Sequence, residues 1–301
     1  MTEKLPLGVI LENEFGRIEC FELSDDLQGL RFFHQQGQGS LSLYGGQVLT
    51  WQPKHEQPVF WLSDDSQYSE GKAIRGGIPL CWPWFGGEVK LVNGEISKVA
   101  NHGFARQSQW QLSDVKLTPA SVEIVLSLSG DNHSPYWPAA FELNQSLVFG
   151  QSFHQHLTMK NLSAQAVNYT GALHSYLCVS NPKYVEIPAL NDTSFDDKLS
   201  GANEQQSLLS HCTGPIDRIY HSSDRMMVVD HNWQREIEIT SQGCQQWVLW
   251  NPGKEAQKMH DVHGEGENEF VCLEAANTDW QTIASHGSVS MSQTIKLYTK
   301  Q

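Results

Sequence analysis

Ser121-Val122-Glu123-Ile124-Val125-Leu126-Ser127-Leu128 places Val122, Ile124, Leu126 and Leu128 on one side of an extended chain. Successive side chains of a strand point to opposite faces, so this stretch reads as a half-buried antiparallel strand. Working outward, Phe141 to Phe149 repeats the pattern, with Phe141, Leu143, Leu147 and Phe149 on one face. Val289 to Leu297 sets Val289, Met291, Ile295 and Leu297 against Ser288, Ser290, Ser292, Thr294 and Lys296. Ser241 to Asn251 carries Trp247-Val248-Leu249-Trp250, a dense run short enough for a fully buried strand. No uninterrupted helical pattern reaches ~12 residues. Glycine and proline punctuate the chain roughly every ten residues, the spacing of sandwiches and barrels. The expectation is an all-β fold of antiparallel strands with few helices, a single β-sandwich domain over residues 1–301. The polar segment Asp196 to Gln206 reads as a surface loop within it.

Of 301 residues, 39% are hydrophobic and 18% charged, enough to build a sizeable core and too apolar for a disordered chain. No apolar run reaches the ~18 residues of a membrane helix. Met1 to Arg17 shows neither an apolar stretch nor a small-residue cleavage site, so no signal peptide is expected. A net charge of −14 argues against nucleic acid as a partner. The six cysteines, Cys20, Cys81, Cys178, Cys212, Cys244 and Cys272, form no C-x-x-C pair and read as free thiols in a reducing compartment. A cytoplasmic protein follows as the expectation, a monomer or weak dimer without membrane or nucleic-acid partners. Ten tryptophans and eight tyrosines suit strands, and such rings also wall sugar sites by stacking.

Segments that break the strand pattern are where function is sought. Gly71 to Gly87, which includes Arg75-Gly76-Gly77-Ile78-Pro79 and Cys81-Trp82-Pro83-Trp84-Phe85, is a glycine- and proline-rich loop. Its Arg75, flanked by glycines, can reach a ligand with little steric cover. Asn101-His102-Gly103-Phe104-Ala105-Arg106 puts a histidine and an arginine where an anion or hydroxyl could be held. Gly171 to Leu177 alternates so that Ala172, His174 and Tyr176 share a face opposite Leu173 and Leu177. A lone strand histidine is more often a hydrogen-bonded structural residue than a catalyst. Glu274, within Val271 to Asn277, stands among small apolar residues with no cation beside it. Buried, it would have a raised pKa and could serve as a base; on an edge strand it would simply face water.

Other constellations are weaker. His154 and His156 share a face that Thr158 and Lys160 continue, so a solvated face outweighs a metal site. Met259-His260-Asp261-Val262-His263 reads as a surface loop rather than a metal site. There is no Walker loop, no G-x-S-x-G elbow and no strand-following G-x-G-x-x-G.

Taken in order, the Arg75 and His102 segments, Leu173-His174-Ser175-Tyr176, Asp217-Arg218-Ile219-Tyr220, Trp250-Asn251-Pro252-Gly253 and Cys272-Leu273-Glu274-Ala275-Ala276-Asn277 form a set. That set resembles the D-hexose-6-phosphate mutarotases, or glucose-6-phosphate 1-epimerases, of the aldose 1-epimerase superfamily, from about Gly45 to the C-terminus. The resemblance implies a galactose-mutarotase-like β-supersandwich that interconverts the α and β anomers of a hexose 6-phosphate without metal or other cofactor. It implies Glu274 as catalytic base and His174 as catalytic acid, the first an anion and the second an imidazolium. Arg75 and Arg106 would grip the phosphate, with Lys72 as a further cation. Asp217 would contact sugar hydroxyls, Asn101 the substrate, and His102 would be a second histidine of the site. Trp250-Asn251-Pro252-Gly253 ends in glycine where the family's pattern has tryptophan. Two other readings stand beside this one: a mutarotase for unphosphorylated aldoses, in which the arginines are incidental, and a non-catalytic sugar-binding or sensor protein.

Overall fold

The computed structural model describes residues 4–91 and 93–299. Five strands from Gly8–Asn13 to Gln47–Pro53 form an antiparallel meander in sequence order. A second sheet runs Val185–Glu186, Met226–Asp230, Arg235–Gln242, Ser288–Thr299, Ser152–Asn161, Phe141–Phe149, Val122–Gly130 and Gln111–Leu117. A third runs Ala202–Gln205, Phe195–Asp197, Ile216–Tyr220, Gln246–Asn251, Phe270–Ile283, Val167–Leu173 and Leu80–Cys81, with Tyr176–Cys178 also paired to Phe270–Ile283. All ladders between these strands are antiparallel. The helices among the described residues are short 3₁₀ turns, the longest being Gly253–Lys258. None is long and apolar enough to cross a membrane.

The alternation in the sequence explains the layering. Val122, Ile124 and Leu126 share one face of the second sheet with Phe141, Leu143, Leu147, Phe149, Met291 and Ile295 and line one continuous core. Leu173, Leu177, Leu249 and Leu273 of the third sheet close that core from the other side. At ~25 cal/mol per Å² of apolar area removed from water, this shared interior holds the two large sheets together.

Three expectations change in detail. Ser241 and Gln242 end the strand Arg235–Gln242, and Gly243 turns the chain (φ 73°) before the buried run begins at Gln246. Asp196 to Gln206 is not wholly a loop: Phe195–Asp197 and Ala202–Gln205 pair as a short edge hairpin. The stretch around His174 is interrupted, with strands Val167–Leu173 and Tyr176–Cys178 separated by His174 and Ser175.

Candidate active site

Phe270–Ile283 lies inside the third sheet, between Gln246–Asn251 and the broken pair Val167–Leu173 and Tyr176–Cys178. Strand alternation sends Leu273 and Ala275 into the sandwich core and turns Cys272, Glu274 and Ala276 to the opposite face. Loops roof that face, so Glu274 is only 1% exposed. An edge strand with Glu274 in water is therefore excluded. Register brings neighbours to the same face: Val248 lies opposite Glu274, Trp250 opposite Cys272, and Asp217 opposite Trp250. His174 arrives from the strand break and sets its Nε2 3.3 Å from Glu274 Oε1. Its ring is stacked on Tyr176, at 4.9 Å between centroids and 7° between planes, and meets Trp250 edge-on at 6.3 Å.

Both groups of the expected imidazolium–carboxylate pair have their pKa values displaced by burial. Burial pushes the Glu274 carboxyl well above its ordinary 4.5, and nearby Asp217 adds to this while Arg106 opposes it. Burial likewise pushes His174 well below 6.5, helped by His102, Arg106 and Arg75. Removing either charge from water costs several kcal/mol, about as much as the ion pair could return. Both shifts disfavour the charged forms, Glu274 as carboxylate and His174 as imidazolium. His174 Nδ1 and Glu274 Oε2 have no hydrogen-bond partner in the protein and are the atoms left for a ligand.

Of the other expected residues, Arg75, Arg106, His102 and Asp217 lie near this pair. Arg75 comes from the glycine-rich loop: Gly76 and Gly77 hold positive φ of 116° and 62°, and a Cβ on Gly77 would meet the Val48 carbonyl at 2.0 Å. Its Nε and Nη2 reach Asp261 Oδ2 at 3.1 and 3.0 Å, and its Nη1 donates to the Tyr176 hydroxyl at 2.9 Å. Three of the five guanidinium N–H groups are thus engaged and two remain. Arg106, in the turn Ala105–Gln107, donates from Nη2 to the Asn101 carbonyl at 2.8 Å, while its Nε is buried without a partner. His102 has φ 67°, and its Nδ1 accepts the Gly86 N–H at 3.2 Å. Burial, then Arg106 and Arg75, lower its pKa to about 3, so it is neutral with its proton on Nε2. That ring stands edge-on to His174 at 5.9 Å. Asp217 shares the Glu274 face, and burial raises its pKa. Asn101 is exposed, Oδ1 close against Gly87. Lys72 is exposed in the loop that leads to Arg75.

The aromatic wealth of the first loop serves packing more than sugar binding. Trp82 and Trp84 are buried, Trp82 against Trp137, Phe104 and Phe141, and only Phe85 reaches the site, against His102. Two residues were not singled out from sequence. Tyr176 touches both His174 and Arg75. Asp261 sits in the stretch read as a surface loop, which is latched by His263 to Glu269 at 2.9 Å and so carries Asp261 onto Arg75. The signal for Asp261 was weak: an acidic residue in a polar loop looks solvated until its arginine is found.

The broad antiparallel sandwich is the fold of a class, the galactose-mutarotase-like proteins. The solved structure of a "putative mutarotase" from Salmonella typhimurium superposes with a TM-score of 0.84 at 28% identity, over 98% of this chain and 97% of that one. The galactose 1-epimerase of Lactobacillus acidophilus shares the fold, with a TM-score of 0.72 at 12% identity over 95% of this chain and 99% of that one. Residues 32–297 match the family Aldose 1-epimerase, and the chain belongs to that family. Among curated relatives, a Salmonella typhimurium protein named "Putative glucose-6-phosphate 1-epimerase" is 32% identical over 83% of each chain. One of the same name from Escherichia coli K12 is 30% identical over 91% of each.

Proposed function

We propose that this member of an isomerase family interconverts the α and β anomers of a hexose 6-phosphate, glucose 6-phosphate first among them, by opening and reclosing the sugar ring without a cofactor. The observation that carries the reading is the buried 3.3 Å contact between His174 and Glu274, with two guanidinium groups close by.

The proton balance fits the pair. Ring opening removes a proton from the anomeric hydroxyl, forms the C1 carbonyl and breaks C1–O5, and the ring oxygen gains a proton. His174 and Glu274 together hold one transferable proton. Moving it from Glu274 to His174 makes the carboxylate the base and the imidazolium the acid. Glu274 then takes the hydroxyl proton and His174 gives one to the ring oxygen, so the pair's total is unchanged. Rotation of the open aldehyde and closure on its other face run the same transfers backwards. A positioned acid or base contributes ~10²–10⁴-fold each. The His102 Nε2–H, fixed by its Nδ1 contact, is a neutral donor for a sugar oxygen. Asp217 accepts from hydroxyls on the same face, and Asn101 borders the mouth. Arg106 and the two remaining N–H groups of Arg75 take the phosphate.

The test is anomer equilibration of fresh α-glucose 6-phosphate and fresh α-glucose, followed by NMR. A kcat/KM at least tenfold higher for the phosphate supports the reading. Equal values favour an enzyme of unphosphorylated aldoses, and no acceleration of either sugar favours a binding protein.

A further inference from the structure

Three glutamines occupy positions where the alternation calls for apolar side chains. Gln145 stands among Phe141, Leu143, Leu147 and Phe149, Gln155 between Phe153 and Leu157, and Gln293 between Met291 and Ile295. All three are at most 1% exposed, on the core-facing side of the second sheet. Gln155 and Gln293 are cross-strand partners, and Gln145 lies on the next strand. They form one chain. The Ser175 hydroxyl donates to Gln293 Oε1 at 3.1 Å and accepts from Gln293 Nε2 at 3.0 Å; Gln293 Nε2 also donates to Gln155 Oε1 at 2.8 Å, Gln155 Nε2 to Gln145 Oε1 at 2.7 Å, and Gln145 Nε2 to the Gly46 carbonyl at 2.6 Å.

Polar groups in a core are costly unless every one is satisfied, and leucines here would have been cheaper. The two ends of the chain suggest why it is kept. Ser175 is the core-side half of the break between Val167–Leu173 and Tyr176–Cys178, and the other half is His174. Ser175 N–H turns back to the Leu173 carbonyl at 3.0 Å, and the Ser175 carbonyl accepts from Leu273 N–H, next to Glu274, at 3.1 Å. Gly46 closes the turn in which Gly45 N–H donates to the Ser108 carbonyl at 2.7 Å, and a Cβ on Gly45 would meet the Arg106 carbonyl at 2.8 Å.

We propose that the buried chain Ser175–Gln293–Gln155–Gln145–Gly46 is a positioning device, holding the strand break that aims His174 at Glu274 at one end and the turn that backs Arg106 at the other. This rests on the proposed roles of His174 and Arg106. None of the glutamines touches the site itself, so each acts through another residue. From Gln293 to Gly46 the hydrogen bonds share one polarity and reinforce one another, and Ser175 is held from two sides, so the chain resists small shifts at either end. A misplacement near 1 Å at a reacting group can cost about 10²-fold.

The experiment compares Gln293→Leu and Gln145→Leu with the parent, using kinetics, thermal unfolding and NMR of ¹⁵N-labelled histidine. Gln293→Leu is expected to lower kcat roughly 10- to 100-fold with KM nearly unchanged, and to shift the His174 imidazole signals but not those of His102. Gln145→Leu is expected to raise KM for glucose 6-phosphate several-fold with little change in kcat. Ser175→Ala removes the terminal hydrogen bond with the least disturbance and replaces Gln293→Leu should that variant not fold. Parental kcat and KM with only a lower melting temperature, or unshifted His174 signals, would overturn the proposal. Should the parent turn over no sugar, the functional reading fails, while the His174 signals still decide whether the chain positions that ring.

Discussion

Tyr176 lies flat on the His174 ring, 4.9 Å away, while its hydroxyl accepts a hydrogen bond from Arg75 at 2.9 Å. One side chain therefore orients the proposed acid and the proposed phosphate grip together. Tyr176→Phe keeps the stack and drops the hydroxyl. It should raise KM for glucose 6-phosphate about tenfold, the scale of one hydrogen bond to a charged group, and spare kcat. Tyr176→Leu loses the stack as well and should also lower kcat. Steady-state kinetics of the two variants check this, and equal kcat losses would refute the division of labour.

Glu274 makes a pH-dependent claim. Its folded pKa is raised above 4.5, so the folded protein holds that proton more tightly than the unfolded chain. The stabilisation is fully present below 4.5 and is lost as pH rises through the folded value. Glutamine does not titrate. Glu274→Gln should therefore be more stable than the parent at pH 8, by about 1–2 kcal/mol, and show no advantage near pH 4. Its activity should fall roughly 10²–10⁴-fold. His174 works on the other side: its lowered pKa removes stability as pH falls below 6.5, in parent and variant alike. Urea unfolding of both proteins at the two pH values measures the difference. A variant less stable than the parent at pH 8 would show that the carboxylate is not under strain.

These contrasts mark what the sequence made legible. Strands such as Phe141–Phe149 were readable to the residue because alternation is a local property. Glu274 and His174 stood out from that pattern, but the pattern alone left Glu274 open and favoured a structural His174, and the roles expected of them came from the family resemblance. Asp261 was not readable, because its partner Arg75 is 186 residues away and only the fold brings the two together. The glutamine chain left a trace, polar residues at 145 and 293 inside otherwise apolar faces, but its meaning needed the cross-strand register. Nor could the direction of the His174 and Glu274 shifts be read, since it depends on burial by segments remote in sequence.

Asp261 has two opposing effects on Arg75. Its carboxylate fixes the guanidinium through Nε and Nη2, and its charge repels an incoming phosphate. Asp261→Asn keeps an acceptor oxygen and removes the charge; Asp261→Ala removes both. Positioning predicts a KM for glucose 6-phosphate near or below the parent's in the asparagine variant and about tenfold higher in the alanine variant. Equal KM values in the two variants would mean that Arg75 needs no orientation from this loop.

Arg106 should matter more than Arg75 for the phosphate. Arg75 is already paired with Asp261, whereas among the described residues no carboxylate pairs with Arg106, whose buried Nε also lacks a partner. An uncompensated guanidinium keeps its full attraction for a dianion, worth about 1.5–3 kcal/mol per charge-assisted contact. Arg106→Ala is therefore expected to raise KM for glucose 6-phosphate roughly 10- to 100-fold and to leave glucose turnover unchanged. Arg75→Ala should act in the same direction but less strongly, since Asp261 and Tyr176 already engage three of its N–H groups in the parent. With the chain at −14, long-range attraction supplies none of this binding, and contact charges must supply it all. Added salt should accordingly weaken phosphosugar binding in the parent only slightly, since it screens contact charges least and relieves the long-range repulsion. KM measured for both sugars across a salt series tests the ranking, and an Arg106→Ala variant that loses glucose and glucose 6-phosphate turnover alike would remove the arginine from the phosphate.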